Sequence, residues 1–390
     1  MRKLFTILGP FVLVVFISSS CSRKIYYTEN KEQLNKKVWA WMSGKIAMTP
    51  EQWEHYFSCA SSAGIDAIIL ECHGGYPEIQ GDTTDFTDKG AITIIKTAIP
   101  YAKKFNIELH AWIWTTNRTE LNLRESHPEL YQVNALGQSC LDIKLYNREH
   151  YRWLCPTRPG TTEYLKARVA ELAEIDGLAG IHLDFIRYPD AILPYGLHKS
   201  RGVFQDKVYP LWDHCYCEAC RSAFSKKTGI DPIKLEDPTS NTEWMQFRYD
   251  AIAKVASELC HVIKSHGKIA SAAVFASPVE SKKLVRQDWA NFKNIDVLFP
   301  MIYHKFYDKP DEWIETSTKE GVNALRTHKS SAYLCSGLFV GHVTKERIDE
   351  MFDYASKGGS KGICLFSLEG VDKTEGYWDA LGEAIIRYKK

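Results

Sequence analysis

Short apolar runs alternate with amphipathic stretches along the chain from Lys37 onward. Eight of the apolar runs have the length of β-strands, and the amphipathic stretches have helical periodicity, most clearly over 161–176 and 241–266. This alternation is typical of βα units arranged around a parallel sheet. The predicted strands are 38–43, 67–72, 108–115, 180–186, 269–276, 297–303, 331–338 and 362–368.

The predicted strands are apolar on both faces, as strands are when helices cover a parallel sheet. Eight such units, with no G-x-G-x-x-G segment, favour a closed barrel over an open doubly wound sheet. Thr49, Pro50 and Gln52 form a capping signal for the first helix. We therefore predict an α/β protein with a single (β/α)8 TIM barrel over 37–390. A cysteine-containing insertion is predicted after strand 4, at about 190–240.

The N-terminus has the order of a secretory signal. Two basic residues precede a mostly apolar run, and three serines then precede Cys21. The small residues before this cysteine resemble a bacterial lipobox, which implies cleavage before Cys21 and acylation of its thiol. We expect a signal peptide over 1–21, a linker over 22–36, and a lipid anchor in the bacterial cell envelope, facing the periplasm or the outer membrane. A plain signal peptide with an incidental cysteine is the alternative.

The charge of the chain gives no reason to expect a nucleic-acid partner. Lys and Arg number 49 against 48 Asp and Glu, for a net charge of +1. Partners must therefore be inferred from the site.

In a (β/α)8 barrel the functional face lies at the carboxyl ends of the strands. This criterion selects polar and aromatic residues where the apolar strands end: Trp41, Glu71, His73, Trp112, Trp114, Asn117, Asp184, Arg187, Tyr303, His304 and Glu369. Asp184 lies inside an apolar segment, where an unpaired carboxylate is costly. Arg187, three residues later, is placed to keep it ionised, and a purely structural Asp–Arg pair is the alternative.

The segment from Gly180 to Pro189 resembles the fourth-strand motif of the glycosyl-hydrolase-like family ten barrels. The segments 39–41, 110–114, 153–156 and 299–303 fit the same pattern, so the resemblance covers nearly all of the chain after the signal. It implies hydrolysis of a glycan, with Asp184 as the leading catalytic carboxylate. The chain has Phe185 where a second acidic residue often follows the aspartate.

Glycoside hydrolysis usually needs a second carboxyl group as proton donor. Glu369, Glu71 and Glu280 are the candidates. We rank Glu369 first, because a carboxyl that emerges from an apolar strand end is expected to have a raised pKa, and Glu71 second.

The remaining selected residues are predicted to bind substrate. Trp41, Trp112, Trp114 and Tyr303 are suited to stacking on sugar rings. His73, Arg187 and His304 are predicted polar contacts, and His182, two residues before Asp184, is predicted to support the site or to bind substrate.

The predicted function is a glycoside hydrolase that cleaves an O-glycosyl bond of an extracytoplasmic oligo- or polysaccharide without a catalytic cofactor. The alternative is a catalytically inactive, glycan-binding barrel lipoprotein. The absence of a second carboxylate near Asp184 would favour this alternative.

Cys215, Cys217 and Cys220 place three thiols within six residues. This spacing predicts a structural zinc site with a fourth ligand among His214, Asp213 and Cys155. Free thiols are the alternative, and a zinc-dependent hydrolase centred on this cluster is a weaker third hypothesis for function. Cys72, Cys335 and Cys364 are predicted to be buried as small hydrophobic residues.

Overall fold

The computed structural model describes residues 35–45, 47–73 and 88–390, except for the side chains of residues 73, 88 and 89. The signal peptide, Cys21 and most of the linker predicted from the sequence lie outside the described residues. No helix of the described part is long and apolar enough to cross a membrane.

Eight parallel strands form one closed barrel in which each strand pairs with the next and β8 pairs with β1. This confirms the predicted (β/α)8 fold. The strands are β1 (Lys37–Ser43), β2 (Ala67–His73), β3 (Glu108–Trp114), β4 (Gly180–Asp184), β5 (Ile269–Phe275), β6 (Val297–Met301), β7 (Tyr333–Phe339) and β8 (Gly362–Phe366).

Helices cover the outside of the barrel, and shorter ones lie in its loops. Those described are α1 (Pro50–Ser62), α2 (Asp88–Lys104), α3 (Leu121–Ser126), α4 (Pro159–Ala173), α5 (His198–Arg201), α6 (Glu218–Thr228), α7 (Thr242–Ser265), α8 (Pro278–Val285), α9 (Trp313–Thr327), α10 (Ile348–Lys357), α11 (Leu368–Asp372) and α12 (Tyr377–Lys389). The capping box of α1 is present as predicted, because the side chains of Thr49 and Gln52 each accept a hydrogen bond from the other residue's backbone N–H.

Two hydrophobic cores hold the barrel together. The larger core lies between the strands and the helices. The smaller core fills the inside of the barrel with side chains such as Trp39, Trp41, Ile69 and Phe299. Cys335 and Cys364 belong to this inner core and Cys72 to the outer one, as predicted for small hydrophobic residues.

The insertion after β4 is present and occupies residues 185–241, including α5 and α6. A second long connection, residues 115–158 after β3, was not predicted. The two connections contact each other through an antiparallel bridge between Asn134 and His214. Both leave the carboxyl ends of their strands, so they build up the same end of the barrel.

Candidate active site

A cavity of about 570 Å³ opens at the carboxyl ends of the strands. Eleven aromatic residues line it together with four acidic side chains, which are the predicted Glu71, Asp184 and Glu369 and also Asp190. The aromatic residues that line it are Trp41, Tyr56, Trp112, Trp114, Tyr151, Phe185, Phe275, Tyr303, Phe306, Tyr307 and Phe366. The structure therefore brings together Asp184, two of the three candidate proton donors, and all four tryptophan and tyrosine residues predicted to bind substrate. The third candidate, Glu280, lies in α8 and is not on the cavity wall, which corrects its prediction as a donor.

Asp184 is the last residue of β4 and is only 8% exposed. Its Oδ1 accepts a hydrogen bond from the backbone N–H of Phe185 (2.6 Å), and its Oδ2 accepts one from Nε1 of Trp112 (3.1 Å). Burial raises the pKa of Asp184 to about 6, although the Phe185 N–H, the charge of Arg187 and the Trp112 indole oppose that rise. Near neutral pH this carboxyl group is close to its titration point.

The backbone turns sharply after Asp184. Phe185 has a φ of 50°, in the left-handed region, which costs a non-glycine residue about 1 kcal/mol. The single proton of the Thr116 hydroxyl is shared between the carbonyl oxygens of Phe185 and Arg187, which links Thr116 to this turn. The predicted strand over 180–186 therefore ends two residues early, and the turn directs the Phe185 ring into the cavity against Trp114.

Arg187 lines the cavity but does not form the predicted ion pair with Asp184. Its Nη1 lies 3.2 Å from Oδ2 of Asp190, and both residues are buried. The guanidinium group also faces the rings of Trp153, Phe185 and Phe275 at 4.8 to 5.1 Å from their centroids. Its charge lowers the pKa of Asp184 from a distance, but burial of Asp184 has the larger effect.

Glu71, near the end of β2, is 7% exposed and its Oε1 accepts a hydrogen bond from Nε1 of Trp114 (2.9 Å). Burial raises its pKa to about 7, and the charges of Asp184 and Glu369 add to that rise. Hydrogen bonds from Ser43 and Trp114 oppose it. A carboxyl group with this pKa carries a proton over much of the pH range below neutrality, as a proton donor must.

Glu369 also lines the cavity, but the reason for ranking it first was wrong. Strand β8 ends at Phe366, and Glu369 lies in the first turn of α11, where it is partly exposed. Its Oε1 accepts a hydrogen bond from the backbone N–H of Ser43 (2.7 Å). The buried environment that we expected around Glu369 is instead found around Glu71, the second-ranked candidate.

Trp112 and Trp114 are two residues apart on β3 and therefore point to the same side of the strand, into the barrel. One indole holds Asp184 and the other holds Glu71. Tyr303 lies across the cavity, stacked on Phe366 with ring centroids 5.7 Å apart.

The predicted histidines do not form a cluster at the cavity. His182 lies beneath it, where its Nε2 accepts a hydrogen bond from Nε1 of Trp41 (3.1 Å) and its Nδ1 is 3.0 Å from Oγ of Ser271. Burial holds the pKa of His182 well below its ordinary value, so it is a neutral support for Trp41. His304 is not on the cavity wall, and its Nε2 lies 2.7 Å from Oδ1 of Asp311, which corrects its prediction as a substrate contact. The side chain of His73 lies outside the described residues.

Several polar residues of the wall were not predicted. Asp190 accepts hydrogen bonds from Arg187 and from the hydroxyl of Tyr151 (3.1 Å). Its position three residues after Arg187 in the sequence is a signal from which this ion pair could have been predicted. Tyr56 comes from α1, where the strand-end criterion does not apply, and burial together with the charges of Glu369 and Asp372 raises its pKa to about 12. Lys45 and Lys373 also line the cavity.

The cysteine cluster lies away from this cavity. Sulfur atoms of Cys155, Cys215, Cys217 and Cys220 all lie within 4.8 Å of one another, and all four residues are buried. Cys155 is thus the fourth member, whereas Asp213 is paired with Arg248 and Nδ1 of His214 faces the carbonyl oxygen of Trp212. None of the four cysteines lines the cavity, which argues against the zinc-dependent hydrolase. The cluster has the donor set of a metal site.

The fold and the cavity define a class: a (β/α)8 barrel with acidic side chains at the carboxyl ends of its strands, the arrangement in which glycoside hydrolysis is carried out by paired carboxyl groups. A family model described as "Putative glycosyl hydrolase domain" matches residues 40–332, and the chain belongs to that family. No curated protein matches the sequence.

Solved structures of glycosidases share the fold. The catalytic domain of a β-amylase from Paenibacillus polymyxa is 13% identical with a TM-score of 0.63, over 91% of this chain and 99% of that one. The glycoside hydrolase domain of PgaB (BpsB) from Bordetella bronchiseptica is 12% identical with a TM-score of 0.59, over 90% and 99%. A β-galactosidase from Marinomonas ef1 is 10% identical with a TM-score of 0.56, over 90% and 59%. At these identities the likeness concerns the fold.

Proposed function

We propose that this protein hydrolyses a glycosidic bond with Asp184 and Glu71 as its two principal carboxyl groups. The observation that carries the proposal is that both groups are buried in one aromatic cavity and that burial raises both pKa values, to about 6 and about 7. Neighbouring indole N–H groups on β3 hold them in place. Two carboxyl groups with different pKa values are what acid and nucleophile, or acid and base, require.

In this proposal Glu71, with the higher pKa, donates a proton to the leaving oxygen. Asp184, with the lower pKa, acts in its ionised form as nucleophile or as stabiliser of the oxocarbenium-like transition state. Glu369 lies on the same wall and raises the pKa of Glu71 by its charge, so it favours the protonated form of the donor. This chemistry uses side chains of the chain itself and needs no catalytic cofactor.

The proposed substrate is an oligo- or polysaccharide. Aromatic faces at Trp41, Trp112, Trp114 and Tyr303 suit the apolar faces of sugar rings, and the carboxyl and indole groups supply hydrogen-bonding partners for sugar hydroxyls. The narrower relationship to glycosyl-hydrolase-like family ten, inferred from the Gly180–Pro189 segment, is part of the same proposal.

The alternative, a catalytically inactive glycan-binding barrel, would be favoured by a cavity with Asp184 as its lone carboxyl group. Glu71 and Glu369 line the same cavity, which supports the hydrolase.

A panel of glycans and aryl glycosides tests the proposal, with wild-type protein compared with Asp184→Asn. We expect turnover of at least one substrate to fall by about 10³-fold or more in the variant, because the amide neither attacks nor balances positive charge. Asp353→Asn, at an exposed residue paired with Lys357, is the matched control and should retain activity. Binding without turnover across the whole panel would support the inactive alternative instead.

We also propose, from the sequence of the N-terminal segment, that the chain is exported and anchored to the cell envelope by lipid on Cys21. Cys21→Ala should abolish incorporation of labelled palmitate and release the protein from the membrane fraction. Unchanged membrane association of a processed Cys21→Ala protein would refute the anchor.

A further inference from the structure

We propose that Cys155, Cys215, Cys217 and Cys220 bind one zinc ion that joins the two long connections after β3 and β4. Cys155 belongs to the first connection and the other three cysteines belong to the insertion after β4. This inference concerns a site separate from the cavity and does not depend on the glycosidase proposal.

The geometry of the four sulfur atoms fits a tetrahedral ion. Sγ of Cys155 lies 3.5 Å from Sγ of Cys217 and 3.4 Å from Sγ of Cys220, too far apart for a disulfide. With a Zn–S distance of about 2.3 Å, the sulfur atoms of a regular tetrahedral site are about 3.8 Å apart. A set of four thiolates selects zinc or an iron–sulfur centre among the common metals, and a group this compact suits a single zinc ion.

A buried hydroxyl group without a hydrogen-bond partner interacts electrostatically with the cluster. Tyr188 is 1% exposed, and its Oη has no hydrogen-bond partner among the described residues. Its electrostatic neighbours include Cys155, Cys215 and Cys220. A buried hydroxyl that donates to nothing is costly, and negative charge on metal-bound sulfur atoms would give its dipole a favourable electrostatic partner. The thiol of Cys220 donates a hydrogen bond to Oγ1 of Thr157 (3.2 Å); as a metal-bound thiolate, Sγ would instead accept a hydrogen bond from this hydroxyl.

The buried charged residues next to the cluster also favour a bound metal ion. Arg248 and Arg286 are both buried and both pair with Asp213, at 2.7 and 3.1 Å. Two guanidinium groups and one carboxylate leave one positive charge. Arg248 also donates a hydrogen bond to the carbonyl oxygen of His214, directly before Cys215. Four thiolates around Zn²⁺ carry a net charge of −2, which supplies the compensation that four neutral thiols lack.

Elemental analysis of the purified wild-type protein should find about one zinc per chain. Cys217→Ser and Cys155→Ser should each lose most of that zinc. Cys260→Ser, at a buried cysteine of α7 outside the cluster, is the matched control and should keep it. Tyr188→Phe should still bind zinc but with about 10- to 100-fold weaker affinity, measured by competition with a chelator.

Wild-type protein provides a test that does not depend on the folding of variants. Native protein should resist alkylation at the four cluster thiols, and chelation should expose them and lower the melting temperature, with recovery on addition of zinc. Substitution of cobalt for zinc should give the absorption bands of a tetrahedral thiolate complex. Protein isolated without zinc that binds none when zinc is added, a Cys155–Cys220 disulfide, or full zinc content in Cys155→Ser would each overturn the proposal.

Discussion

Glu71 and Asp184 each accept a hydrogen bond from an indole on the same face of β3, but the charged groups around the two carboxyls differ. Asp184 has the backbone N–H of Phe185 and the charge of Arg187 to favour its ionised form. Glu71 has two negatively charged neighbours that favour its protonated form. Burial is the largest cause of the rise in both pKa values, and most of the difference between about 6 and about 7 follows from the ordinary values of 3.8 for Asp and 4.5 for Glu.

Glu71→Gln should depress turnover of substrates with poor leaving groups by about 10²- to 10⁴-fold, and turnover of activated aryl glycosides far less, because a good leaving group departs without full protonation. Steady-state kinetics on both substrate types measure this. Glu369→Gln makes the same change at a second glutamate of the cavity wall. If the leaving-group dependence appears in Glu369→Gln and not in Glu71→Gln, the donor is Glu369.

The pH profile of kcat/KM should be bell-shaped with its maximum between about 6 and about 7, since the proposed mechanism needs Asp184 ionised and Glu71 protonated. On activated substrates, Glu71→Gln should lose the fall in rate on the alkaline side and retain the fall on the acid side. A profile in which Glu71→Gln keeps the alkaline fall would assign that titration to another group.

At the scale of the elements, a glycine of β7, Gly337, leaves space for the side chain of Trp41 of β1. Gly337 lies where a side chain would collide with the inside of the barrel: a Cβ atom there would be 2.9 Å from Cη2 of Trp41 and 2.8 Å from the carbonyl oxygen of Pro300. Trp41 in turn reaches the cavity and is held by His182. The position of this wall tryptophan therefore depends on the absence of a side chain on β7.

Gly337→Ala should destabilise the protein by about 1–3 kcal/mol, because the extra methyl group overpacks the barrel interior, and it should weaken substrate binding by displacing Trp41. Denaturant unfolding and KM measure the two effects. Gly382→Ala in α12 is the control, since a Cβ there meets atoms of Ala63 no closer than 3.5 Å and alanine favours helix. Equal effects of the two substitutions would contradict this account.

The periodicity of the sequence was sufficient to predict the eight strands and their closure, because strands buried on both faces have a simple apolar pattern. It could not predict where β4 ends, because the left-handed conformation of Phe185 goes with hydrogen bonds from Thr116, which lies about 70 residues earlier in the chain. Cys155 could be named only as one of three possible ligands, since it joins the cluster from a connection 60 residues away. Glu369 was ranked above Glu71 because the sequence did not reveal that a helix begins after β8.

At the scale of the whole molecule, the two buried carboxyl groups influence the pH dependence of stability. The pKa of Glu71 rises on folding from 4.5 to about 7, and that of Asp184 from 3.8 to about 6. A carboxyl group with a raised pKa in the folded state binds its proton more tightly there. Its contribution to stability is present in full below the unfolded pKa and is lost as the pH rises through the folded pKa.

Between pH 4.5 and pH 8 the free energy of unfolding should therefore decrease in wild type by more than it does in Glu71→Gln. The two decreases should differ by up to about 3 kcal/mol. Urea unfolding at several pH values measures this difference. Glu383→Gln, at an exposed residue, is the control and should follow the wild-type curve. Parallel curves for wild type and Glu71→Gln would show that Glu71 titrates alike in the folded and unfolded states.

Of the chain's 11 tryptophans, Trp41, Trp112 and Trp114 line the cavity, and the indole nitrogens of the last two are bonded to the carboxyl groups proposed for catalysis. Indole emission responds to hydrogen bonding, to nearby charge and to the exclusion of water. A sugar that enters this cavity would change all three at once, so intrinsic fluorescence should report occupancy directly. Because Asp184→Asn is expected not to hydrolyse its ligands, fluorescence titration of this variant would rank unlabelled glycans by affinity.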